Sequence, residues 1–83
     1  MSNMNQKPKS LYLKVVHITA NYLGPPADRF IRRQIENHLN KHPEELARKD
    51  LKELINWIEV SMTISTDDHK MIHEYLAKLQ SLI

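Results

Sequence analysis

The chain of 83 residues has no cysteine, one glycine, one tryptophan, one phenylalanine and no long apolar run. Each shortage excludes something. Without cysteine there is no disulfide framework, no thiolate zinc site and no thiol nucleophile, and the chain is neutral about the redox state of its compartment. A single glycine rules out a glycine-rich loop that cradles phosphate, and Ser10, Ser61, Ser65 and Ser81 stand in no G-x-S-x-G elbow. No stretch approaches the roughly 18 consecutive apolar residues of a membrane span. No apolar segment of signal-peptide length follows the polar stretch Met1 to Ser10, so the cytoplasm is the default expectation.

The composition that remains, 41% hydrophobic and 27% charged, is that of a compact helical domain. A core of this size leaves only a few kcal/mol of net stability and little room for a substrate cleft. Net charge is a modest +2, but it is unevenly spread. Residues 1–42 carry seven Lys/Arg against two Asp/Glu, and residues 43–83 carry five against eight. Such a division serves either a basic binding face or attraction between the halves.

Residues 1–9 lack periodicity and hold Lys7-Pro8-Lys9, which predicts a flexible tail ahead of one helical domain over 10–83. Ser10 is the expected N-cap of a first helix reaching Leu23, with Leu11, Val15, Ile18 and Tyr22 on its inner face and Val16 and Leu23 beside them. Gly24-Pro25-Pro26 ends it, since glycine takes the left-handed conformation and proline forces its predecessor out of the α region. A second helix follows from about Pro26 to Asn40, with Ala27, Phe30, Ile31, Ile35 and Leu39 inward and Arg29, Arg32, Arg33 and Glu36 outward. Pro43-Glu44-Glu45-Leu46 reads as a short turn that drops Leu46 onto the core.

A third helix is predicted from about Arg48 to Ile64, with Leu51, Leu54, Ile55, Ile58 and Met62 as its main stripe and Trp57, Val60 and Ile64 as a second. Ser65-Thr66-Asp67-Asp68 marks a restart, a hydroxyl cap followed by two carboxylates. The fourth helix then turns Met71, Ile72, Tyr75, Leu76, Leu79 and Leu82 inward. Four helices with short links imply an all-α four-helix bundle or an orthogonal array.

Two histidine pairs, His38 with His42 and His69 with His73, have the i, i+4 spacing of a two-ligand metal clip. Neither pair carries the glutamate of an H-E-x-x-H arrangement, and Pro43 interrupts helicity beside His42, so solvated surface histidines are expected and no metal. The carboxylate pairs Glu44-Glu45 and Asp67-Asp68 each open a predicted helix, where dipole complementarity accounts for them without acid–base chemistry. No catalytic residue or cofactor site emerges.

The cations Arg29, Arg32, Arg33 and Lys41, extended by Lys7, Lys9 and Lys14, suit a polyanion or an acidic protein surface. The alternative is a solvated face with Arg32 paired to Glu36. Lone tryptophans beside a full apolar stripe are more often core than interface. If helices one and four leave Trp57, Val60 and Ile64 uncovered, however, that stripe becomes a patch for a partner or a second copy.

The run Tyr22-Leu23-Gly24-Pro25-Pro26-Ala27-Asp28-Arg29-Phe30-Ile31-Arg32-Arg33-Gln34-Ile35, continued by His38-Leu39, Pro43-Glu44-Glu45-Leu46 and Lys49-Asp50-Leu51, resembles a family of small bacterial helical proteins. Its members are common in cyanobacteria, and related L-G-P-x-A modules are attached to signalling proteins such as serine/threonine kinases. The resemblance spans about residues 16 to 82 and rests on a helix stop followed by a helix start. It implies a regulatory or adaptor role through protein contact and brings no catalytic residues with it. Pro26 departs from the small residue frequent there, which stiffens the link.

The expectation is therefore a protein-interaction module, adaptor or regulator, homodimerisation included, using Trp57, Val60 and Ile64 with Arg29, Arg32 and Arg33 as a charged rim. A nucleic-acid binder using Lys7, Lys9, Lys14, Arg29, Arg32 and Arg33 as phosphate contacts is the alternative. Neither a membrane nor a small-molecule substrate is indicated.

Overall fold

The computed structural model describes residues 9–83. Residues 1–8 of the expected tail, Lys7 among them, lie outside the described residues; Lys9 opens the first helix. Helix α1 spans Lys9–Leu23, so Ser10 is a helical residue rather than its N-cap. Gly24 ends α1 with a φ of +71°, and its N–H reaches the Ala20 carbonyl at 3.0 Å. Pro26 then precedes α2 (Ala27–Gln34), its carbonyl accepting from the Phe30 N–H at 2.9 Å.

The second helix does not keep its pitch to Asn40. From Ile35 to Leu39 it widens into one π-helical turn, which closes at Asn40 in the left-handed conformation, φ +55°. Asparagine is among the few side chains that tolerate that backbone. A π turn carries an extra residue and re-aims the side chains within it, a device common near functional sites.

Two 3-10 turns, Pro43–Glu45 and Arg48–Asp50, carry the chain to α3, and Leu46 between them is fully buried as the pattern predicts. Asp50 fastens this connection. Its Oδ2 accepts from the Ala47 N–H at 2.9 Å and from Lys41 Nζ at 2.8 Å. Burial pushes the Asp50 carboxyl up, but the bonds from Lys41 and Ala47 and the charges of Lys41 and Lys49 outweigh it and hold the group below the ordinary carboxylate range.

Helix α3 spans Leu51–Ser65 and α4 His69–Gln80. The cap of α4 is a carboxylate rather than the expected hydroxyl. Asp68 accepts from the Met71 N–H at 3.1 Å, while the Thr66 hydroxyl accepts from the Asp68 N–H at 3.1 Å. Ser65 is unavailable because its hydroxyl donates back to the Ser61 carbonyl at 2.9 Å.

The fold is all-α, with no strand among the described residues. In space α1 packs against α2 and α4, α3 against α4, and α2 with its π turn against α3, so the helices close a ring around Val15, Ile31, Ile35, Leu46, Leu51, Leu54, Ile58, Tyr75 and Leu79. Helix α1 is rotated from the expected face. Tyr12, Val15 and Thr19 are its buried residues, and Leu11, Ile18 and Tyr22 are only partly covered.

Thr19 is tolerated at the centre because its hydroxyl donates to the Val15 carbonyl at 2.8 Å and lies 2.7 Å from the Tyr75 hydroxyl. Burial pushes the Tyr75 phenol up to about 12 against the smaller opposing effect of Thr19. Tyr22 leans on Tyr75 with ring centroids 5.1 Å apart. At the other end of α1, the Tyr12 hydroxyl bonds to Asp28, and burial together with that bond pushes its phenol up to about 12 as well.

Candidate protein-binding face

The faces of α2 and α3 beside their seam expose both apolar and cationic side chains. Two contacts cross the seam. His38, on the π turn, lies flat on Trp57, ring centroids 3.9 Å apart and planes 6° apart. One turn back on α2 and one turn forward on α3, Gln34 Nε2 donates to the Ser61 hydroxyl at 3.1 Å. Both pairs step by four residues in opposite directions, as antiparallel neighbours must.

Trp57 is thereby half-buried, but the rest of its stripe is open: Val60 is 48% exposed and Ile64 80%. Neither α1 nor α4 covers these side chains, so the condition under which the stripe becomes a surface patch is met. His38 is not the solvated histidine the spacing suggests, because the π turn brings its imidazole onto the indole. His42 lies beyond Asn40, outside the helix, while His69 and His73 are exposed on α4. Among the described residues, no group of three or more His, Cys, Asp or Glu is placed to hold a metal ion.

The three arginines part company. Arg29 and Arg33 are exposed and, with Pro26, Phe30 and Gln34, line an open cleft of about 270 Å³ beside the seam. Arg32 turns towards α1 instead. Its guanidinium stands 5.7 Å from the centre of the Tyr12 ring and 3.7 Å from the Asp28 carboxylate, so its ionic partner is Asp28 at i−4, not Glu36 at i+4. Lys14 lies in another cleft, of about 420 Å³, with Leu13, His17, Ile18 and Leu82. The six cations considered for phosphate contact are therefore not gathered into one patch: Arg32 is paired, Lys14 is elsewhere, and Lys7 lies outside the described residues.

Gln34 is the residue of this region that the pattern missed. It sits at a position that reads as a polar gap between Ile31 and Ile35, yet it is 8% exposed and its Oε1 has no hydrogen-bond partner. Only the fact that Ser61 falls on a second, less apolar edge of α3 could have pointed to it. No family model matches the chain, and neither the curated proteins nor the solved structures yield a match to it.

Proposed function

We propose that this protein is an interaction module, an adaptor or regulator that acts by binding another protein through the α2–α3 face. The observation that carries the reading is the open stripe on α3: an aliphatic side chain 80% exposed, one turn from another at 48%, both beside a tryptophan that is only half-buried. Contiguous apolar surface flanked by arginine is the composition of protein interfaces, where aromatic and arginine side chains are enriched. The family resemblance, with modules attached to signalling proteins, points to the same class of role. Nucleic-acid binding draws less support, since Arg32 and Lys41 are engaged with Asp28 and Asp50, Lys14 lies in a separate cleft, and only Arg29 and Arg33 stand together.

The test is site-specific photocrosslinking in cells of origin. A photoreactive side chain at position 60 or 64 should give a discrete protein adduct, and one at the exposed position of Gln80 on α4 should not. Equal labelling at all three positions, or none at any, would remove the reading.

A further inference from the structure

We infer that the partner segment is an acidic amphipathic helix that lays an apolar side chain over Phe30 and sets carboxylates one turn apart against Arg29 and Arg33. This rests on the proposed interaction role and names the chemistry of its occupant.

Three independent features of the seam converge on it. The first is charge. Arg29 and Arg33 stand at i and i+4 on either side of Phe30, both are exposed, and among the described residues neither makes an ion pair. Arg32 and Lys41, by contrast, each hold a carboxylate of the chain itself. Two guanidinium forks one helical turn apart match two carboxylates at the same spacing on a facing helix.

The second is the apolar floor. Continuing the register that sets His38 against Trp57 and Gln34 against Ser61 by one more turn points from Phe30 on α2 towards Ser65 and the adjoining Ile64 on α3. Phe30 is half-buried and lines the cleft, while Ile64 is almost bare. The cleft on α2 and the open stripe on α3 thus flank the same seam, and the α2 side is cationic. Helical partners use such grooves through anchors on one face.

The third is an unmet hydrogen bond below the surface. Gln34 is a lining residue of the cleft, is more than nine-tenths buried, and its amide satisfies only one of its two ends. Rotating the amide merely exchanges which end is unpaired, because Ser61 supplies a single hydroxyl. Buried polar groups left in this state are rare in finished interiors, and a donor carried by a docked partner would complete this one.

The experiment uses the full chain with a synthetic amphipathic helical peptide of leucine and glutamate, its charges spaced i, i+4, and a second peptide with glutamine in place of every glutamate. Binding is read by Trp57 fluorescence at low and high salt. The acidic peptide should bind, more weakly as salt rises, and the charge-reversed variant R29E/R33E should lose at least about tenfold in affinity. The V60S/I64S variant should also weaken binding while keeping its thermal midpoint, since both side chains are surface. No binding of the acidic peptide, equal binding of the glutamine peptide, or indifference to R29E/R33E overturns the inference. So does tighter binding of a DNA duplex. Salt-tolerant self-association in sedimentation, lost in V60S/I64S, would assign the strip to a second copy; that overturns the acidic partner but leaves the interaction role standing. Absence of any crosslink from positions 60 and 64 sinks both.

Discussion

The imidazole of His38 lies parallel to the indole of Trp57 at a centroid distance of 3.9 Å, and it reaches that position from the only π turn among the described residues. The stack joins α2 to α3 at one end of their seam, while Phe30 on α2 lines an open cleft and Ile64 on α3 is almost bare. Replacing His38 by alanine should bare one face of the indole, shift its emission to the red and lower stability by about 0.5–1.5 kcal/mol, the range measured for aromatic pairs. Phenylalanine at the same place should keep both emission and stability. Equal spectra for wild type and the alanine variant would mean the rings are not stacked in solution.

Thr19 and Tyr75 make an asymmetric pair. Thr19 donates to Val15, so Tyr75 must donate to Thr19. Thr19→Val leaves a buried phenol without an acceptor and should cost about 1–3 kcal/mol, whereas Tyr75→Phe leaves Thr19 still bonded and should cost about 1 kcal/mol. The double variant should recover part of the Thr19→Val loss, which a denaturant double-mutant cycle reads directly. Simple additivity would dissolve the pair.

Alkaline titration reports on the same burial. The Tyr75 phenol is pushed up to about 12 in the folded chain from an ordinary value of 10.0. A raised folded value means the stabilisation is complete below pH 10.0 and drains away as the pH climbs towards 12, because the unfolded chain releases its proton first. Tyr12 behaves alike, with its bond to Asp28 adding to burial. Ultraviolet difference absorbance should show Tyr12 and Tyr75 ionising only together with unfolding. Ionisation of all tyrosines in one step near their ordinary value, before any loss of helical signal, contradicts this.

Asp50 gives the acid limb the opposite sign. Its folded value is lowered, so its contribution is present above the ordinary carboxylate range and is lost as the pH falls through that lowered value. Asp50→Ala removes both the cap on Ala47 and the ion pair with Lys41, and should cost about 2 kcal/mol at neutral pH. The loss should shrink on acidification. A pH-independent difference between variant and wild type would show that the carboxylate charge is not what holds the connection.

Gly24 and Asn40 are the two described positions with left-handed backbone. A Cβ added at Gly24 would meet nothing within 4 Å, so Gly24→Ala tests backbone strain alone and should cost about 1–2 kcal/mol. Asn40→Ala should behave similarly and Asn40→Gly should be close to neutral. Chemical denaturation of the three variants is sufficient, and an unperturbed Gly24→Ala midpoint would refute the helix-stop assignment.

Much of this architecture is legible in the residues. Gly24-Pro25-Pro26, Pro43 and the Thr66-Asp67-Asp68 cluster are local signals, and local signals set where the helices stop and start. What escapes is non-local. Thr19 and Gln34 look like surface residues until Tyr75, 56 positions away, and Ser61, 27 positions away, supply partners for them. The π turn escapes for another reason: Ile35 and Leu39 have the spacing of an ordinary α-helix, and the extra residue shows only in where His38 ends up. The openness of Val60 and Ile64 could be stated from the sequence only as a condition, since it depends on how far α1 and α4 reach around α3.

The extra residue of the π turn also has a genetic reading. Deleting one codon between Ile35 and Leu39 would let the segment wind as a regular α-helix, and because the π turn already absorbs one extra residue, the chain beyond it would keep its phase. The connection held by Lys41 and Asp50 would stay anchored, while the wide turn from which His38 reaches the indole would be gone. Upstream, Arg29, Phe30 and Arg33 would keep their places. In this stretch, then, length is freer than in the regular helix on either side: substitutions at Glu36 or Asn37, both solvent-exposed, leave the seam alone, and the loss of one position is confined to the turn that carries it.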